Sequence, residues 1–215
     1  MESKVTTGLA SFGAVDWKSI ISKGEAWTDD KFPPTYDSLF NPSDYEADEP
    51  PKYTGLEWKR ASELFPDGFS IVPDELDPEQ INQGMIGDCY FLSCLSALAA
   101  NGERIKKLFL TKEPNSAGCY VMMLHVGGLP HSVVVDDYLP SQNGRLVFGS
   151  SGDNSIWVAL LEKAWAKLHG NYCRIINGTV DMGYIHLCGM PSIAYKHKEW
   201  LHRKDQLWAY LNQAC

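Results

Sequence analysis

A cysteine stands at the first turn of an apolar helix, directly behind a glycine-containing turn. The run is Gln83-Gly84-Met85-Ile86-Gly87-Asp88-Cys89, followed by YFLSCLSALAANG. Apolar residues at 91, 92, 95, 98 and 99 share one helical face, and Asn101-Gly102 ends the helix. Free backbone N–H groups at a helix start favour an anion, which suits a cysteine that works as a thiolate. Glycines at 84 and 87 let the backbone bend sharply and leave room for a substrate chain. Gln83 lies close enough to fold its side-chain amide toward the same spot. That amide and the Cys89 backbone N–H would form an oxyanion hole for a tetrahedral acyl intermediate. On spacing alone, a buried helix-start cysteine behind an ordinary loop is the competing reading.

The rest of the composition narrows the function classes. Nineteen Lys+Arg against 27 Asp+Glu give a net charge of −8, which argues against an electrostatic nucleic-acid binder. The acid is concentrated at the start: residues 1–88 hold 7 basic and 18 acidic groups. The six cysteines form no CxxC and no zinc pattern, so they read as free thiols in an intracellular, cytoplasmic setting, with cytoskeletal association compatible. The opening MESKVTTGLASFG has no continuous apolar core of a secretory signal, and no stretch is apolar for long enough to span a membrane.

Along the chain, residues 1–55 are acidic and broken by Pro33-Pro34, Pro42 and Pro50-Pro51. They read as an extended arm, docked through Trp17, Trp27, Phe32, Tyr36 and Phe40. Residues 56–215 carry the folded unit. EWKRASELF reads as a short helical piece and Glu103–Leu110 as another. Cys119–Val126 and His131–Leu139, around Gly127-Gly128, read as a β-hairpin, with a further strand at Leu146–Phe148. Ile156, Trp157, Leu160, Leu161, Ala164, Trp165 and Leu168 form a core-facing helical stripe, capped by Asp153 or Asn154 and ended by Gly170. A Gly-containing loop over Asn177–Met190 and an amphipathic piece from near Asp205 complete an α+β, helix-rich chain with a small antiparallel hairpin.

The cysteine run resembles the active-site motif of the calpain cysteine proteases, Q-G-x-L-G-D-C-W-F-L-A. Further blocks match in order. FPPTYDSLF resembles the family's entry segment, EWKRASEL the segment before the nucleophile, and HSVVVDDYLP the hairpin strand W-x-x-V-V-V-D-D-x-L-P. LVFGSSGDNSIWVALLEKAWAKLHGNY resembles L-V-F-x-x-S-x-x-x-N-E-x-W-x-x-L-L-E-K-A-Y-A-K-L-x-G-S-Y. The resemblance runs from about residue 26 to the end.

It implies the first half of a papain-like protease core, with Cys89 as nucleophile and Gln83 as oxyanion donor. The family's second half carries a His in G-H-A-Y and an Asn in N-P-W-G, and neither motif occurs in these residues. His125, His131, His169, His186, His197 and His202 match no family histidine motif and read as solvated or packing residues. Cys94 lies about 140° round the helix from Cys89, so both cannot face one cleft. The family also binds a calcium ion in this half through two acidic side chains. The matching positions are Gln80 and Ser155, so no cofactor is expected, and only a register shift would bring Glu79 and Asp153 into their place.

Two functions follow. One is the cysteine half of an intracellular endopeptidase acting on proteins, inactive alone and completed by a second subdomain in the same or another chain. The other is a non-catalytic calpain-like interaction protein with structural or regulatory work. The expected partners are a protein substrate or partner protein, with no nucleic acid and no membrane span.

Overall fold

The longest helices form where apolar side chains recur at helical spacing, and the strands are short and joined by tight turns. The computed structural model describes residues 15–41, 53, 55–193 and 195–214. Residues 1–14, 42–52, Thr54, Ala194 and Cys215 lie outside the described residues, including the opening MESKVTTGLASFG, Pro42 and Pro50-Pro51.

Within the arm, α1 (Trp17–Lys23) and the single turn α2 (Tyr36–Leu39) are helical, so this segment is not extended throughout. Asp16 caps α1 by accepting the Ser19 N–H at 3.1 Å. Phe32, Leu39 and Phe40 are buried in the main core, and Trp17, Ile20, Ile21 and Trp27 cover a second, smaller cluster.

The piece read as helical at EWKRASELF divides in two. Glu57–Arg60 is strand β1, and only Ala61–Leu64 makes a helical turn, α3. The strand is imposed from a distance: β1 pairs antiparallel with β5 (Tyr138–Gln142), Glu57 opposite Ser141 and Arg60 opposite Tyr138. The Arg60 guanidinium reaches Asp137 at 2.6 Å and the Trp27 carbonyl at 2.6 Å, joining arm, strand and hairpin.

A second ladder is only two residues long. There β2 (Ile81–Asn82) meets β7 (Ser150–Ser151) just ahead of the turn that leads to Cys89. The cysteine helix α4 spans Cys89–Ala99, and α5 spans Gly102–Lys106. The hairpin strands are β3 (Cys119–Val126) and β4 (Leu129–Asp136), with Cys119 opposite Asp136 and Val126 opposite Leu129. Its turn is Gly127-Gly128, both at positive φ (59° and 80°), the conformation that a two-residue hairpin turn demands. Tyr120, Met122 and Leu124 face the main core, while Cys119 and Val121 face the cluster under α1. Of the strand expected at Leu146–Phe148, only Arg145–Leu146 is ladder, β6, paired to β5.

Helix α6 (Trp157–His169) is the centre of the molecule, and every residue from Trp157 to Leu168 is buried. Gly170 ends it, as expected, but its start departs from the sequence reading. Neither Asp153 nor Asn154 caps it: the cap position is Ile156, with no side-chain bond. Asp153 instead accepts the backbone N–H of Ser155 at 3.1 Å, closing its own turn. The expected apolar stripe is core, yet the charged face is buried as well. Lys163 bonds Asp136 and the Tyr138 carbonyl (2.7 Å). Lys167 bonds Asp29 (2.6 Å) and the Val134 carbonyl (2.7 Å).

Beyond it, the Tyr172–Ile175 turn is a 3-10 helix, and Val180–Cys188 is helix α7 where a loop was expected. Gly183, which reads as a breaker, is the point where α7 crosses α4. An added Cβ there would lie 2.7 Å from Cys94 Sγ. α8 (His197–Trp200) and α9 (Lys204–Ala214) follow, with Trp208, Tyr210 and Leu211 exposed. Among the described residues, no helix is long and apolar enough to cross a membrane.

Candidate active site

Cys89 is the first residue of α4, and it is exposed, whereas Tyr90, Phe91, Leu92, Cys94, Leu95, Leu98 and Ala99 of the same helix are buried. Three sets of contacts hold it there. Phe91 stacks on Trp165 of α6, with ring centroids 4.9 Å apart and planes within 4°. The Tyr90 hydroxyl accepts the Trp165 indole N–H (3.1 Å) and donates to the Ile175 carbonyl (3.1 Å). The Asn177 N–H donates to the Gly87 carbonyl at 3.0 Å, so the loop beyond Ile175 braces the turn before the cysteine.

The turn itself lies flat on the backbone after β6. The Met85 N–H donates to the Val147 carbonyl at 2.8 Å. A Cβ added at Gly84 would overlap the Val147 carbonyl oxygen and the Phe148 backbone, so only glycine allows this approach. Gly87 has more room, with Ile176 Cγ2 at 3.5 Å as the nearest neighbour of an added Cβ. Gln83 is exposed on the same turn, and its Nε2 donates to the Ile86 carbonyl at 3.0 Å. Its amide therefore closes the turn that leads to Cys89.

The other thiols differ from Cys89. Cys94 is fully buried, donates toward the Tyr90 carbonyl at 3.2 Å, and burial pushes its thiol up to about 11. Burial likewise pushes Cys119 up to about 12. The five cysteines among the described residues are all free, in agreement with the sequence reading; Cys215 lies outside them.

No described histidine hydrogen-bonds to Cys89. His169 and His186 pack on Trp165, with ring centroids 4.1 and 4.8 Å away. Burial drives His169 down to about 4, and its Nδ1 is engaged with the Trp165 carbonyl (2.9 Å). His186 Nδ1 is engaged with the Met182 carbonyl at 2.8 Å. These are packing groups.

The sequence of residues 27–215 matches the family model for calpain family cysteine proteases. The chain belongs to the calpain family. It is 35% identical over 181 residues to the calpain-type cysteine protease DEK1 of Zea mays, covering 80% of this chain and 8% of that protein. To calpain-5 of Caenorhabditis elegans it is 34% identical over 169 residues, 75% of this chain and 25% of that protein. To the calpain-1 catalytic subunit of Bos taurus it is 34% identical over 169 residues, 76% of this chain and 23% of that protein. The chain thus spans a quarter or less of the length of these relatives.

The family's calcium ligands can be tested against the loops here. Gln80 accepts the Gly152 N–H through its backbone carbonyl at 3.0 Å, joining the two loops. Asp153 is occupied within its own turn, accepting Ser151 Oγ (2.6 Å) as well as the Ser155 hydroxyl. Burial pushes its carboxyl up, but these hydrogen bonds outweigh it and the net shift is down. Among the described residues, no three His, Cys, Asp or Glu side chains cluster as a metal site. Gln80 and Ser155 offer no carboxylate, and the Asp153 carboxylate is hydrogen-bonded within its own turn.

One feature of the site escaped the sequence reading. Asp88, immediately before Cys89, and Glu162 of α6 are both buried and meet side chain to side chain. Periodicity places Glu162 on the charged face of α6, so no local signal marks its burial.

Proposed function

We propose that this chain is the cysteine-bearing half of a calpain-type endopeptidase core, cleaving proteins inside the cell. The exposed sulfur of Cys89 at the head of a buried helix carries the reading. Cys89 attacks the peptide carbonyl carbon. The carbonyl oxygen becomes the oxyanion, and Gln83 leaves the Ile86 carbonyl to donate to it together with the Cys89 N–H. The C–N bond then breaks, the amine departs with a proton from a histidine base, and water hydrolyses the thioester. That histidine and its orienting asparagine come from a second subdomain, in this polypeptide or another. The exposed Met190, Ile193, Leu201, Trp208 and Leu211 supply apolar surface for such a partner to cover.

The reading has two direct tests. The chain alone should cleave no casein, because the leaving amine has no general acid. Cys89 should still react with iodoacetamide near neutral pH at least about tenfold faster than Cys94, as mass spectrometry of the labelled peptides would show. Equal labelling would favour the second reading, a non-catalytic calpain-like scaffold.

No cofactor takes part in this proposal. Calorimetric titration with calcium should give no site at physiological concentrations. A micromolar site lost on replacing Glu79 and Asp153 would show that the two loops rearrange to bind.

A further inference from the structure

The carboxylates of Asp88 and Glu162 meet in a place where neither can be solvated. Both are about 99% buried or more, and no described lysine, arginine or histidine pairs with either. Glu162 accepts the Gly149 N–H on both oxygens, at 3.0 Å each. Neither oxygen of Asp88 receives a hydrogen bond from any ordinary donor, and Asp88 makes no side-chain cap to its own helix. Besides its own backbone N–H, the polar group facing its carboxyl is Glu162, and a carboxyl can donate to another carboxyl only when it carries a proton. Two buried like charges in contact cannot both stay ionised.

We propose that Asp88 and Glu162 hold one proton between them, as an O–H···O hydrogen bond that positions the nucleophile turn and keeps a second negative charge away from Cys89. The inference rests on Cys89 being the reactive residue, but its central observable does not. The bond joins three segments that build the site: the residue before Cys89, the centre of α6, and Gly149. Gly149 continues the Val147–Phe148 backbone on which Gly84 and Met85 lie.

The surrounding groups agree with a shared proton. From α4, Cys89 and Tyr90 flank Asp88; from the 3-10 turn, Tyr172 feels both carboxyls, and burial holds its phenol well above the usual range. Lys163, next to Glu162 in sequence, is committed to Asp136. Burial raises Asp88 from 3.8 to about 6, and burial followed by the nearby Asp88 charge raises Glu162 well above 4.5. A raised carboxyl loses its proton later in the fold than in the unfolded chain. The pair is therefore doubly protonated below about pH 6, and singly protonated and anionic above it.

Two measurements on this chain decide it. Infrared spectroscopy at pH 7.5 should show the C=O stretch of a buried carboxylic acid, and Glu162→Gln should remove it. The rate of Cys89 alkylation should rise with pH but bend near pH 6, where the new charge slows it roughly three- to tenfold. In Glu162→Gln, Asp88 faces an amide donor and ionises earlier, so the bend should move to lower pH. A purely structural role for Glu162 would scale the rate and leave the bend in place. A wild-type spectrum with no protonated carboxyl at neutral pH would overturn the proposal, whether or not the variant folds. So would an identical bend in both proteins. Equal labelling of Cys89 and Cys94 with the carboxyl band present would instead strike at the nucleophile assignment and leave the pair standing.

Discussion

Lys163→Met should destabilise the chain by about 3–5 kcal/mol, read as a lower urea midpoint at neutral pH. Lys163 is fully buried, and its ammonium binds the Asp136 carboxylate, the Asp136 carbonyl (3.2 Å) and the Tyr138 carbonyl (2.7 Å). Methionine keeps much of the side-chain length but leaves Asp136 as an uncompensated buried charge. Asp136 cannot simply turn away. Its carboxylate also accepts the Asp29 N–H at 2.7 Å and the Tyr138 N–H at 3.0 Å, so it fastens the arm to the hairpin. Lys163→Met combined with Asp136→Asn removes the orphaned charge, and a large part of the lost stability should return. If the double variant is as unstable as the single one, the loss comes from packing against Trp58, whose ring centre lies 5.4 Å from the ammonium.

The same lysine shows which parts of the structure could be read from sequence. The turn before Cys89 and α4 are legible because their determinants are local: two glycines, a helix start, and apolar residues at 91, 92, 95, 98 and 99 that are all buried. The hairpin was legible for the same reason, since Gly127-Gly128 encodes its own turn. Residues 57–60 were not, because good helix formers there become a strand through pairing with residues 138–141 and through the Arg60–Asp137 contact. α7 was missed because Gly183 looks like a breaker until Cys94 is seen beneath it. Lys163, Lys167 and Glu162 are charged residues that periodicity would assign to solvent. Their burial depends on Asp136, Asp29 and Asp88, which are remote in the chain and brought near only by folding. The arm shows both sides. Its aromatic content marks it as docked, which the buried Phe32 and Phe40 bear out and the exposed Tyr36 does not, while the ion pair from Asp29 to Lys167 that fastens it has no local signature.

Glycines 84 and 87 had equal standing in the sequence, and the structure separates them. Gly84→Ala should cost about 1–3 kcal/mol and abolish the preferential alkylation of Cys89 over Cys94. The reason is not backbone conformation, since Gly84 is not among the glycines at positive φ. It is close approach: the new methyl would overlap the Val147 carbonyl oxygen and the Phe148 main chain, which cannot rotate aside as a side chain can. To make room, the turn must lift, breaking the 2.8 Å hydrogen bond from the Met85 N–H to the Val147 carbonyl. Gln83 and Asp88 flank that turn, so both the Gln83 amide and the residue before Cys89 would move. Gly87→Ala should behave differently. Its methyl would meet Ile176 Cγ2 at 3.5 Å, an ordinary van der Waals contact, and Gly87 has no positive φ to lose. Its stability should change by less than about 1 kcal/mol, with Cys89 still labelled first. Thermal unfolding and iodoacetamide labelling of the two variants side by side would decide the matter. Equal damage from both substitutions would mean that the bend itself, and not the contact with residues 147–148, is what requires glycine ahead of Cys89.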